Sequence, residues 1–164
     1  GESLTLARHI LSGTGRDLEH GSSQMHSMLV KTPPLVEEGI RRMLATGLAP
    51  SHTVDKKQKS ISEQHTLNPD LVFNDGSIVG DVKYKLLGES WSRSDLNQLA
   101  TFAAGFRAPK GVLIGFSEGG HPLAKDLQVG NHHLRVVAWD VSGGLEPEQA
   151  AQQVVEEVRK FIEL

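Results

Sequence analysis

The chain has 164 residues, a net charge of −3 with neutral histidines, and no cysteine. That length suits one domain, read as residues 1–164 around a single core, and the charge excludes a protein that coats nucleic acid by bulk attraction. The missing cysteines exclude disulfides, thiolate zinc sites and a cysteine nucleophile, and fit a reducing, cytoplasmic setting.

The first predicted element is a helix from Leu4 to Leu11, with Leu4, Ala7 and Leu11 at helical spacing. Arg8 and His9 interrupt this early apolar stretch, so no signal peptide is expected, and no segment is apolar enough to span a bilayer. Ser12 to Ser27, rich in Gly, Ser and His, reads as a loop that completes an N-terminal part over residues 1–31. A second helix follows. Thr32 is its expected cap, Pro33 suits its first position, and Gly47 marks its end. Val36, Ile40, Met43 and Leu44 form its apolar stripe.

His52 to Thr66 is polar with modest strand character. Leu71 to Phe73 is a short apolar run, Asn74-Asp75-Gly76 a turn, and Ser77 to Leu86 a strand, together predicting a β-hairpin. Ser92 or Ser94 caps a helix bearing Leu96, Leu99, Ala100 and Ala103, with Gly105 near its end. Gly111–Phe116 reads as a buried strand that closes a catalytic core over residues 32–117. The remaining C-terminal part, residues 118–164, holds a strand from Leu134 to Val141 and an amphipathic helix from Pro147 to Ile162. This order predicts an α/β fold with a mixed central β-sheet flanked by helices.

The hairpin carries the chemistry. Pro69-Asp70 opens its first strand, and Asp81-Val82-Lys83 lies on the second. Asp81 and Lys83 share a face because strand side chains alternate, and the turn brings Asp70 opposite Asp81. Two carboxylates at the hairpin's open end suit Mg²⁺, with the Val82 carbonyl as a further ligand. Lys83, beside the acids, is expected to stay charged and to stabilise a pentavalent phosphate or position the attacking water. A charged pair two residues apart on a strand is most often a solvated face. The order and spacing of all three residues about the turn favour the catalytic alternative. On a helical wheel Glu37 sits at the edge of the apolar stripe, either looking toward the sheet or pairing with Arg41, whereas Glu38 points outward.

These residues match the PD-(D/E)xK nuclease pattern. Asp81-Val-Lys-Tyr-Lys85, followed by Ser94-Asp-Leu-Asn-Gln98-Leu-Ala-Thr-Phe102, resembles the nuclease subunit of McrBC modification-dependent restriction systems. Leu35-Val-Glu37 looks like the family's acid-bearing helix. The resemblance implies a restriction-endonuclease-like core and a Mg²⁺-dependent DNA endonuclease, with Mn²⁺ able to substitute. It implies Asp70, Asp81, Lys83, Glu37 and Gln98 as site residues, with Asp70, Asp81, Val82 and Glu37 on the metal. Gln98 rests on the resemblance alone, since the wheel turns it away from Leu96, Leu99 and Ala103. The partners implied are double-stranded DNA and a GTP-dependent AAA+ motor of McrB type; homodimerisation is compatible with this reading and a membrane is not expected. No Walker-type glycine loop occurs, so nucleotide belongs to the partner.

Lys56, Lys57, Lys59, Lys85 and Arg93 are the candidates for a local phosphate-binding surface, against the alternative of a solvated polar strand. The eight histidines have no zinc-ligand spacing, and Trp91 and Trp139 read as packing residues. The competing reading of the whole chain is a catalytically silent DNA-binding or assembly module that retains the nuclease fold.

Overall fold

The computed structural model describes residues 32–164. The helix predicted over Leu4–Leu11 and the loop over Ser12–Ser27 lie outside them. In chain order the described elements are α1 (Thr32–Leu48), β1 (Val54–Asp55), β2 (Lys59–Ser62), β3 (His65–Leu67), β4 (Leu71–Phe73), a 3₁₀ turn (Asn74–Gly76), β5 (Ile78–Leu86), α2 (Arg93–Phe106), β6 (Lys110–Ser117), β7 (Leu127–Val129), β8 (His132–Asp140) and α3 (Pro147–Glu163).

Six strands form one mixed sheet in the order β1-β4-β5-β6-β8-β7. Strands β5, β6 and β8 are mutually parallel, and the outer pairings are antiparallel. Parallel neighbours require a crossover, which α2 supplies between β5 and β6. Alternating side chains on these strands feed two cores. On one face Ile40 and Leu44 of α1 and Val154, Val158 and Phe161 of α3 pack over Leu71, Phe73, Val82, Ile114 and Trp139. On the other, Leu99, Phe102 and Ala103 of α2 pack over Val79, Leu113, Leu134 and Val136. The α/β sandwich with a mixed sheet is therefore as the sequence predicts.

Several boundaries differ from the sequence reading. Thr32 is the first helical residue of α1 rather than its cap, and Gly47 lies inside the last turn. A Cβ on Gly47 would meet Val155 at 2.8 Å, so this glycine lets α3 approach. Gly105 is likewise internal to α2. The helix is closed instead by Arg107, whose left-handed backbone (φ 58°) donates its N–H to the last carbonyls. The polar stretch before the site holds a separate two-stranded ribbon, β2–β3, exposed on both faces except at Leu67. No described helix is long and apolar enough to cross a membrane.

Candidate active site

The β4–β5 hairpin sets the frame. Leu71 pairs with Gly80, Val72 with Val79 and Phe73 with Ile78, so the next pair outward is Asp70 opposite Asp81. The tight turn between the strands has positive φ at Asn74, Asp75 and Gly76 (46°, 65° and 112°), which Asn, Asp and Gly tolerate best. Apolar neighbours bury the mouth of the hairpin: Asp70 and Asp81 are 9% and 4% exposed.

Asp70 is held from both sides. The Val82 N–H donates to Asp70 Oδ2 at 2.9 Å, and Arg41 Nη1 of α1 donates to the Asp70 carbonyl at 3.1 Å. Asp81 lies close to Lys83, whose Nζ stands 2.6 Å from Asp81 Oδ2. This approach is off the hydrogen-bonding direction, and Asp81 Oδ2 is left buried with no hydrogen-bond partner. Burial pushes the Asp81 carboxyl up to about 6; Lys83 opposes the shift and the Asp70 charge reinforces it.

Glu37 completes the acidic side. It does not pair with Arg41, because Glu38 takes both Arg41 and Arg42. Glu37 turns instead toward Lys56, which stands 3.7 Å from it and 3.9 Å from Asp70. Partial burial raises the Glu37 carboxyl, as does the Asp70 charge, against the pull of Lys56. Among the described residues, no three His, Cys, Asp or Glu side chains gather closely enough to hold a metal ion by themselves. The structure thus offers a carboxylate pair with a third acid at its rim.

On the other side stands α2. Ser92 caps it by accepting the Asp95 N–H at 3.2 Å. Gln98 comes to the site: Lys83 Nζ donates to its Oε1 at 2.6 Å. Its place differs from that expected on the wheel because the inward stripe of α2 runs through Asp95, Leu99 and Phe102, and Gln98 lies at that stripe's edge, three residues after Asp95. Asp95 is the residue that sequence reasoning missed. It is 5% exposed, with Lys85 Nζ at 2.6 Å and Lys83 Nζ at 4.0 Å from its two oxygens. Burial alone would raise its carboxyl, but hydrogen bonds from Lys85 and Ser92 and the two ammonium charges hold it below the usual carboxylate value. Its signal was helical spacing, since Asp95 and Gln98 share a face.

The basic candidates are dispersed. Lys56 lies within the acidic cluster, Lys57 pairs with Asp75, and Lys85 pairs with Asp95. Lys59 lies over the Phe106 ring at 5.4 Å, and Arg93 is exposed on the first turn of α2. Beyond Val82 the ladder between β5 and β6 is irregular, and there Lys83 and Lys85 reach Gln98 and Asp95 of α2. Trp139 is a core residue, and half-buried Trp91 donates its indole N–H to the Lys125 carbonyl at 2.9 Å.

Comparison with known proteins adds two findings. The family model of the McrBC 5-methylcytosine restriction system component matches residues 1–115. Among solved structures, a chain in the half-complex of Thermococcus gammatolerans McrB AAA+ hexamers with bound McrC has a similar fold, with a TM-score of 0.60 at 20% identity. The match covers 76% of this chain and 33% of that one, so this chain spans about a third of its relative's length. No curated protein matches.

Proposed function

Because the chain belongs to the McrBC restriction-system family, we propose that it is the DNA-cleaving part of such a system, a Mg²⁺-dependent endonuclease that hydrolyses phosphodiester bonds. The observation that carries this reading is the buried pair Asp70 and Asp81, face to face across the hairpin with Lys83 2.6 Å from Asp81. Like charges at close range favour a cation between them. The donor set fits one: two buried carboxylates, one with an oxygen that has no hydrogen bond, and Glu37 at the rim. Magnesium usually takes only one or two carboxylates and keeps several waters, so a pair suffices. Asp70 and Asp81 would hold it, with the Val82 carbonyl and Glu37 as further ligands. Bound there, Mg²⁺ or Mn²⁺ would polarise the phosphodiester, acidify a water and offset charge on the departing oxygen.

The chain's own residues supply the rest. Lys83, steered by Gln98, places an ammonium where negative charge grows on the phosphorane oxygens as water attacks. Lys85, Arg93, Lys56, Lys57 and Lys59, dispersed over separate elements, would each contact the DNA backbone, orienting rather than reading it. The described McrB hexamers with bound McrC support a nucleotide-driven AAA+ motor of McrB type as partner.

Plasmid nicking in Mg²⁺ tests the reading, with and without the motor. Asp81→Ala and Lys83→Ala are each expected to lower cleavage at least ~10²-fold, typical of removing a preorganised electrostatic group, with circular dichroism unchanged. Cleavage that survives both substitutions in a clean preparation would sink the site assignment. A silent binding module would take up no Mg²⁺ at Asp70 and Asp81 by calorimetry, and would nick DNA at no protein concentration.

A further inference from the structure

Lys83 has two carboxylates within 4.0 Å among the described residues. One is Asp81, at 2.6 Å; the other is Asp95, at 4.0 Å. Asp95 is almost wholly buried, yet α2 does not need its side chain as a cap, because Ser92 already accepts the orphan N–H. A buried carboxylate is unfavourable unless charges or hydrogen bonds compensate it. Here the compensation comes from a Ser92 hydrogen bond and from Lys83 and Lys85, neighbours on one face of β5 and both in the candidate site.

We propose that Asp95 is the positioning residue of the site: the second counter-ion to which the Lys83 ammonium turns when the charge of Asp81 is taken up by a cation. This rests on the reading of Asp70 and Asp81 as a cation pair. Coulomb attraction falls with distance, so in the free protein Asp81 holds the ammonium more strongly than Asp95 does. A cation on Asp81 removes that attraction and adds a repulsion. Without Asp95 the lysine would be left with the neutral Gln98 and no counter-ion among the described residues at the moment it is needed. With Asp95 it has a short path to another anion and stays tethered by Gln98 throughout. Lys85 grades the effect. At 2.6 Å it occupies one Asp95 oxygen, which leaves Lys83 a weaker grip that a substrate phosphate can overcome.

The exchange of the Lys83 Nζ protons with water, followed by ¹⁵N NMR in the full chain without metal or DNA, tests this directly. Asp81→Asn removes the first counter-ion and is expected to leave exchange within about twofold of the parent, because Asp95 takes over. Adding Asp95→Asn to it is expected to speed exchange several-fold. If Asp81→Asn alone already exchanges as fast as the double variant, Asp95 has no such role. Lys85→Gln, at a half-exposed position, keeps the proposal testable even if the Asp95 variants fold poorly. In the Asp81→Asn background it is expected to slow Lys83 exchange by freeing Asp95, and an unchanged rate there would overturn the shared-acid arrangement. This readout is independent of cleavage: a chain that never cuts DNA but shows this pattern refutes the nuclease reading alone. In a cleaving preparation, Asp95→Asn is expected to lower kcat with KM nearly unchanged, and Asp95→Glu to restore part of it; a KM effect alone would count against positioning.

Discussion

At Asp81, burial and chemistry pull in opposite directions. Its carboxyl, 4% exposed, is raised from 3.8 to about 6 even with Lys83 alongside. The folded state therefore holds this proton more tightly than the unfolded chain does. The stabilisation this provides is complete below about pH 4 and is lost as pH rises through about 6. Raising a carboxyl from 3.8 to about 6 corresponds to at most about 3 kcal/mol. In metal-free protein, Asp81→Asn is expected to be the more stable form at pH 7, by at most that amount less what Lys83 loses. The advantage should shrink toward pH 4. Urea unfolding of both proteins at several pH values measures the difference, and a difference that grows toward acid would contradict the sign. The lowered groups away from Lys83, namely Asp75, Asp126 and Asp140, act the other way, losing their contribution only as pH falls, and they cancel in this comparison.

Element by element, the ribbon β2–β3 has the weakest attachment to the rest. Its Leu67 is buried against α2 at Gly105, where an added Cβ would collide with Leu67 Cδ1. Alanine is better than glycine in a helix interior by up to ~1 kcal/mol, which offsets part of the collision. Gly105→Ala is accordingly expected to change global stability by less than about 1 kcal/mol while loosening the ribbon. Faster amide exchange at Ser60 and Thr66, with an unmoved urea midpoint, would be the signature; a large drop in the midpoint would contradict it. The same element explains what could be read from the sequence and what could not. α2, α3, β6 and β8 were legible because one face or both are apolar and the period is clean. The ribbon was not, since exposed strands carry no alternation to detect, and three-residue β7 is too short to show a period. Gly47 and Gly105 misled because glycine signals either a helix end or a close contact, and here it is the contact. At the site, the hairpin register was legible from the turn. The turn of Glu37 toward Lys56 and the inward turn of Gln98 toward Lys83 depend on neighbours distant in sequence, which a single helical wheel cannot include.

The described fold is organised around β6, which has parallel partners on both edges and side chains in both cores. Its amides from Val112 to Phe116 are expected to exchange only through global unfolding and to be the slowest measured, whereas those of β1 and β7 at the sheet edges should exchange through smaller openings. Faster exchange in β6 than in β7 would contradict this hierarchy. The mixed topology also separates two events in time. The β4–β5 hairpin that bears Asp70 and Asp81 closes across a four-residue connection, a local and rapid step. Neither ladder of β6 can begin until a long crossover has been closed, first around α2 and then around the segment that contains β7. The barrier to folding is expected in those closures, so substitutions of acids and lysines at the hairpin mouth are expected to leave the folding rate nearly unchanged, which stopped-flow refolding of the Asp81 and Lys83 variants would check.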